Sequence, residues 1–574
     1  MNYKWKYPEQ DVRVPEDFAI NYHSKIREIL YARGIDTEEK LSRFLCPNVS
    51  DLRDPWLMKD MEKAVNRLEK AIDGHEKILV YGDYDVDGTT AISLVYSFLR
   101  DLQCNVDFYV PDRYTEGYGL SKQGMQWAVE QHFQLIISLD CGIKANEAVA
   151  YVQERGIDVI ICDHHNQGET LPKAYAILDP KRHDCEYPFK ELSGCGVGYK
   201  LLYAYCLRKN YTLQQIKERL NCYLDYVAIS IASDIVPIVD ENRVLMRFGL
   251  LKMQMKNKVL LPVRILLEHA GLGEATPLSV SDVVFKISPK INAAGRIKSA
   301  RDVISLLTAT MEDEAQKYCT AIEEYNHTRR EFDKNITQTA LQMIYESESM
   351  QQAKSTVLYD ASWHKGVVGI VASRVIETYY KPTIILCGDG EKITGSARSV
   401  GDFDLYAAIE SCSDCLVAFG GHRFAAGLTL LKSDLEKFKV RFEEAVSSTI
   451  QESQMQPEIT IDAELEAEDV TFEFYEQLEK LAPFGPQNMN PVFVIRNMYD
   501  NGSVKIGKEN SHMRFCLENE NGRTLSFVGF GMAEKWDAIS SNESFDVCFT
   551  ISLDQFRGEK RLNLEVKDIM ENKK

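Results

Sequence analysis

The sequence predicts an α/β protein: a doubly wound parallel-sheet domain, a long connecting helix, a smaller α/β domain and a C-terminal β-barrel. Three observations predict it. Five apolar strand candidates, near 77–81, 106–110, 134–139, 157–162 and 174–178, alternate with helical stretches, as βαβ units do. A polar tract from about 311 to 348 lacks Gly and Pro and reads as one helix. Short strand candidates separated by turn residues (Asn501-Gly502, Glu520-Asn521-Gly522, Arg557-Gly558) end the chain, which suits a small barrel.

In chain order, residues 1–50 form a mixed, helical N-terminal segment ending at Phe44-Leu45-Cys46-Pro47. The first α/β domain spans 51–310. There an amphipathic helix (Met61, Ala64, Val65, Leu68, Ala71, Ile72) leads into the first strand, and a helical tract from Leu224 ends at Ser233-Asp234-Ile235-Val236-Pro237. The connecting helix occupies 311–348 and the smaller α/β domain 349–450, with strands near 355–359 and 383–387, a helix from about Gly369 and a Gly-rich turn at Gly420-Gly421. Gln451–Pro457 reads as a linker, the barrel spans 455–570, and the tail beyond about Asp568 is expected to be disordered.

At 574 residues the chain exceeds one core. Lys+Arg 67 against Asp+Glu 86 gives 67 − 86 = −19, which argues against a wholly nucleic-acid-binding surface but leaves room for a basic groove. The start lacks an apolar signal core and no run of 18 apolar residues occurs, so a cytoplasmic location with no membrane association is expected. The 14 cysteines sit largely in apolar runs, as reduced core residues do. The only CxxC, Cys412-Ser413-Asp414-Cys415, has no second pair with which to form a zinc site.

Chemistry concentrates where apolar segments end. Asp83-Tyr84-Asp85-Val86-Asp87-Gly88 follows the first strand, Asp140-Cys141-Gly142 follows Leu135–Leu139, Asp163-His164-His165 follows Asp158–Cys162, and Asp234 follows an apolar helix. Each alone suits a solvated loop or a hydrogen-bonded core residue. Four acidic strand or helix ends in one domain, three of them at strand termini where open α/β sheets place their sites, indicate a site. Crowded carboxylates repel unless protonated or neutralised by a cation, and carboxylate with neutral imidazole suits Mn²⁺ or a similar ion. So many ligands point to two ions, whose chemistry suits phosphoester or phosphoanhydride hydrolysis. No serine nucleophile elbow, CxxxxxR or Walker A sequence is present.

Those motifs, with Lys290-Ile291-Asn292-Ala293-Ala294-Gly295-Arg296, Gly420-Gly421-His422 and Pro483-Phe484-Gly485, resemble the DHH/DHHA1 phosphoesterase superfamily, in its single-strand-specific exonuclease branch. The resemblance spans nearly the whole chain and extends to an OB-fold-like C-terminal barrel. It departs at Lys290, where that branch usually has Arg, so the planar fork is lost. The resemblance implies that Asp83, Asp85, Asp87, Asp140, His164 and Asp234 hold two Mn²⁺ or Mg²⁺ ions, with Asp85 and Asp140 also catalytic and His165 orienting a ligand or acting in catalysis. It implies further that Arg113, Arg296, Ser396 and Arg398 hold the 5′-terminal or scissile phosphate, and that Gly420, Gly421 and His422 approach the DNA.

The activity implied is 5′→3′ degradation of single-stranded DNA to 5′-mononucleotides in repair and recombination, by a monomer, with a helicase and a single-strand-binding protein as partners. Two rivals stay open: a DHH phosphodiesterase of short oligonucleotides or cyclic dinucleotides, and a non-catalytic binding scaffold. Trp363 could stack on a base or be an ordinary buried tryptophan. In the barrel, Phe515, Phe527, Phe530 and Phe556 with Lys505, Lys508, Arg514, Arg523 and Arg557 could form stacking platforms on a basic track, or the aromatics could be strand core.

Overall fold

The structure is a computed structural model that describes residues 3–7, 13–273, 277–539, 543–556 and 559–572. The chain divides into two units: Glu39–Thr328 with Pro483–Met489, and the remaining segments 1–38, 329–482 and 490–574.

In the first unit, β1 (Ile78–Gly82), β2 (Val106–Tyr109), β3 (Leu135–Leu139), β4 (Asp158–Cys162) and β5 (Ala176–Leu178) form an all-parallel sheet in the order β2-β1-β3-β4-β5. Alternate residues serve opposite cores, which is why the strands read as unbroken apolar runs. Ile78, Val80, Ile137 and Ile160 pack against α1 (Met61–Asp73), α2 (Val86–Asp101), α5 (Gly194–Arg208) and α6 (Leu224–Ser233). Leu79, Ile136, Val159 and Ile161 pack against α3 (Lys122–Glu130) and α4 (Asn146–Gln153). The sheet is thus doubly wound, and its order reverses between β1 and β3. That switch point opens a crevice beyond the carboxyl ends of those strands.

A single helix, α8, runs Glu312–Tyr345. In the second unit, β6 (Thr356–Asp360), β7 (Thr383–Cys387), β8 (Lys392–Arg398), β9 (Ala418–His422) and β10 (Ala425–Leu431) form a mixed sheet in the order β9-β10-β8-β7-β6. Helix α9 (Val368–Ile376) follows β6. The Gly-rich turn expected at Gly420-Gly421 is instead strand, with Gly420 opposite Gly427 on β10. Gly421, at φ +147°, is needed for close backbone approach: a Cβ there would lie 2.4 Å from the Ala425 carbonyl oxygen.

The C-terminal module pairs β11 (Phe493–Asp500), β12 (His512–Glu518), β13 (Thr524–Gly529), β14 (Phe545–Phe556) and β15 (Glu559–Glu571) in a ring, β11-β14-β15-β13-β12 and back to β11, with β13 and β15 parallel. This is the OB-like arrangement. Of the tail expected to be disordered, residues 569–571 are the end of β15, held because Leu564, Val566 and Ile569 turn inward, and residues 573 and 574 lie outside the described residues. Phe515 and Phe527 are core, whereas Phe530 is exposed. Arg557 and the Phe556 side chain lie outside the described residues. Strand residues Lys4–Lys6 pair in parallel with Glu458–Thr460. No described helix is long and apolar enough to cross a membrane.

Candidate metal centre and phosphate-binding residues

Helix α2 starts where β1 ends. The Asp85 carboxylate caps it by accepting the Gly88 N–H at 3.0 Å. Gly88 is obligatory: a Cβ there would meet the Asp83 carbonyl oxygen at 2.4 Å. Asp87, in the first turn, is fixed from across the core. Its oxygens accept Gly194 N–H at 2.6 Å and Cys195 N–H at 2.8 Å from the α5 N-terminus, and the Ser230 hydroxyl at 2.7 Å. A helix N-terminus is a favourable partner for a carboxylate.

Asp140 ends β3 with φ +57°. Gly194 presses on it so closely that a Cβ there would lie 2.6 Å from the Asp140 Cβ. Asp163 ends β4 and collects the Ile143 N–H at 2.9 Å, the His164 N–H at 2.8 Å and the His165 Nδ1–H at 2.8 Å. His164 Nε2 then faces three carboxylates: Asp140 at 3.1 Å, Asp234 at 3.5 Å and Asp87 at 3.7 Å. Two overlapping groups, Asp140-His164-His165 and Asp87-His164-Asp234, have the separations of a metal cradle.

Electrostatics support the same reading. Burial, then the Asp87, Asp85, Asp234 and Asp83 charges, drive the Asp140 carboxyl well above its usual range. Burial and Asp85 do the same to Asp83, and burial with Asp87 and Asp85 pushes Asp234 up to about 8. Burial lowers His164, keeping its imidazole neutral and so able to ligate. Burial opposes protonation of His165, but its hydrogen bond to Asp163 outweighs that and raises it to about 9. Asp83 Oδ1 and His164 Nδ1 are buried without a hydrogen-bond partner. Excess buried negative charge, a neutral imidazole and the orphaned Asp83 oxygen are what divalent cations would satisfy.

Arg113 and Arg296 flank Tyr84 of the loop after β1. The Arg113 guanidinium lies 5.1 Å from the Tyr84 ring centroid, and both arginine charges act on its hydroxyl. Lys290 is engaged by Glu323 and donates to the His269 carbonyl at 3.1 Å. In the second unit, Ser396, Gly427 and Gly420 lie side by side on β8, β10 and β9. Arg398 Nη1 donates to Ser396 Oγ at 2.9 Å. Gly369 makes room for both side chains, since a Cβ there would lie 3.0 Å from each. His422 is exposed at the end of β9, and its Nδ1 accepts the Phe424 N–H at 3.3 Å. Trp363 is buried against Ile336, Val367 and Val371, the ordinary core residue of its two readings. Cys412 and Cys415 are buried free thiols.

Sequence reasoning missed four residues around the metal cradle. Gly194 and Ser230 act only through tertiary contacts and carry no local signal. Tyr118, 55% exposed, donates to the Asp140 carbonyl oxygen at 3.0 Å and sits 3.3 Å from His165 Nδ1. Its signal was an aromatic between two glycines, Gly117 and Gly119, both at positive φ. The fourth, Asp179, ends β5 as the other aspartates end their strands.

Comparisons with known proteins agree with this architecture. Residues 77–231 match the DHH family, N-terminal domain; residues 352–448 match the DHHA1 domain; and residues 461–568 match the RecJ OB domain. The single-stranded-DNA-specific exonuclease RecJ of Bacillus subtilis (strain 168) is 35% identical over 570 residues, covering 99% of this chain and 70% of that protein. Its Escherichia coli (strain K12) counterpart is 30% identical over 571 residues, 95% of each chain. The crystal structure of RecJ in complex with Mn²⁺ from Thermus thermophilus shares the fold, with a TM-score of 0.82 at 23% identity over 100% of this chain and 80% of that one.

Proposed function

This chain belongs to the RecJ family of DHH/DHHA1 proteins, and from that premise we infer that it is a metal-dependent, single-stranded-DNA-specific exonuclease. One observation carries the reading: carboxylates and imidazoles from four separate element ends converge at the switch point of the parallel sheet, inside a chain related to exonucleases over nearly its whole length. We assign Asp83, Asp85, Asp87, Asp140, His164 and Asp234 to holding two Mn²⁺ or Mg²⁺ ions. Bound there, the ions would acidify a water and neutralise charge on the phosphoryl oxygens.

The chain's own residues do the rest. Asp87 is locked by two backbone N–H groups and Ser230, so its lone pairs are oriented before metal arrives. His165 keeps a proton on Nδ1 toward Asp163, which leaves Nε2 to meet substrate. Arg113 and Arg296, and separately Ser396, Arg398, Gly420, Gly421 and His422, are proposed contacts to DNA phosphates, as guanidinium forks and exposed glycine backbone suit that task. Phe530, 61% exposed with the His512 ring edge-on at 5.5 Å, is the stacking candidate of the OB module.

The proposal extends to 5′→3′ polarity, mononucleotide products, a role in repair and recombination, and a cytoplasmic monomer working with a helicase and a single-strand-binding protein. It also retains the domain division 1–50, 51–310, 311–348, 349–450 and 455–570. The test is to offer the purified protein, with Mn²⁺, 5′-labelled single-stranded DNA, blunt duplex and dinucleotides. Mononucleotide release from single strands, lost on the order of 10³-fold in Asp140→Ala, is expected, because metal stabilisation of several kcal/mol is removed. Cleavage confined to dinucleotides would instead identify a small-substrate phosphodiesterase.

A further inference from the structure

Asp234 is the C-cap of α6, and Ile235 follows it with φ +58°. A β-branched residue in this region is a strained outlier, costing about 1–2 kcal/mol. Its side chain is 68% exposed, so burial does not hold the turn. The hold comes from downstream. Asn242, buried in the first turn of α7 (Asp240–Met253), donates through Nδ2 to the carbonyls of Pro237 at 3.0 Å and Glu191 at 2.5 Å. Ile238 N–H donates to the Pro486 carbonyl at 2.8 Å.

Pro486 lies in Pro483–Met489, a segment that belongs to this unit although the chain on either side of it belongs to the other. Its shape is fixed internally. Gly485 and Asn488 exchange backbone hydrogen bonds at 2.9 and 2.8 Å, and Asn488 Nδ2 donates to the Pro483 carbonyl at 2.9 Å. It is fixed externally by Arg243, which donates from Nη1 to the Pro483 carbonyl at 3.3 Å and from Nε to the Phe44 carbonyl at 2.9 Å. Gly485 seats it on Ile238, where a Cβ would lie 2.5 Å from Cγ1.

We propose that Pro483–Met489 is a clip that positions the Asp234 carboxylate for metal binding by pinning the strained turn at Ile235–Ile238. Strain of this kind persists only where surroundings over-determine it. Asp234 stands 3.5 Å from His164 Nε2, so a small relaxation of the turn would take it out of the cradle. The inference rests on Asp234 being a metal ligand, and the test separates the two claims.

Mn²⁺ binding to the full chain is measured by calorimetry and by electron paramagnetic resonance of free Mn²⁺, for wild type, Gly485→Val, Asn488→Ala and Asp234→Ala. Outer groups that orient ligands commonly set metal affinity by 10–100-fold. Both clip variants are expected to bind Mn²⁺ about 10-fold more weakly. Their nuclease activity should need correspondingly more Mn²⁺, keep its KM for DNA and recover kcat at saturating metal, whereas Asp234→Ala does not recover. Should Gly485→Val fail to fold, Asn488→Ala, which removes the side-chain bond to Pro483, carries the test. A folded clip variant with wild-type Mn²⁺ affinity overturns the clip. Wild-type affinity in Asp234→Ala overturns the ligand assignment and the clip with it.

Discussion

Asp179 occupies the same place on β5 that Asp83, Asp140 and Asp163 occupy on their strands, yet its surroundings give it a different character. Its Oδ1 accepts the Lys181 N–H at 2.7 Å, while Oδ2 is buried without a hydrogen-bond partner. Burial, with the Asp163 charge adding to it, pushes the carboxyl from its ordinary 3.8 up to about 7. The folded protein therefore binds this proton more tightly than the unfolded chain. The sign follows: stability is present at low pH and is lost as pH rises from about 4 to about 7. Asp179→Asn keeps the Oδ1 acceptor and abolishes the ionisation. Denaturation of the variant at pH 8 should show a gain of about 2–4 kcal/mol over wild type, vanishing below pH 4. A variant less stable at pH 8 would contradict this account. The strand-ending aspartates were legible because each follows an apolar run. That one Asp179 oxygen is buried without a hydrogen bond is a tertiary fact, which no apolar run announces.

At the scale of elements, the central strands and helices follow from hydrophobic period. β1, β3 and β4 are buried on both faces, and α6 is buried over most of its surface, so each stood out as a mostly apolar run. Convergence was legible too, since parallel strands deliver their carboxyl ends to one edge. The glycines were not. Gly420 and Gly421 read as a turn because local statistics favour it, but the backbone contact that requires Gly421 belongs to β10. Gly194 makes the same point for the metal cradle. A methyl there meets the Cα and Cβ of Asp140 at 2.8 and 2.6 Å, atoms that no rotamer change can move. Gly194→Ala is expected to destabilise the first unit by about 1–3 kcal/mol. Because α5 also holds Asp87, it should weaken Mn²⁺ binding beyond what the melting shift alone implies. Calorimetry at a temperature where the variant is folded checks this. Further along α5, Lys200 is wholly buried and donates to Glu241 Oε1 at 2.8 Å, while Tyr187 donates to Oε2 at 2.6 Å. Lys200→Ala removes the buried cation paired with that carboxylate and should cost about 3–5 kcal/mol, read by denaturant unfolding.

Over the whole molecule, the contacts that sequence periodicity could not supply are those between segments hundreds of residues apart. The N-terminal segment is the clearest case. Its strand pairs residue for residue with Glu458–Thr460, and Trp5 packs on Ile461, Val494 and Cys548 while its indole N–H donates to Asp568 at 3.0 Å. Nothing in the local pattern of Lys4-Trp5-Lys6 announces a strand, because its hydrogen-bond partners and its apolar partners are supplied by the C-terminal module. Trp5→Ala removes a large buried side chain and takes a donor from a buried carboxylate, at a cost of about 3–5 kcal/mol. That loss falls on the OB module, whereas the metal cradle belongs to the other unit. Amide exchange should therefore accelerate selectively in β11, β14 and β15, with α2, α5 and β3 protected as in wild type, and Mn²⁺ affinity should be unchanged. Uniform loss of protection across both units would mean that the N-terminal strand supports the entire chain, and that the OB module does not melt as a separate cooperative region.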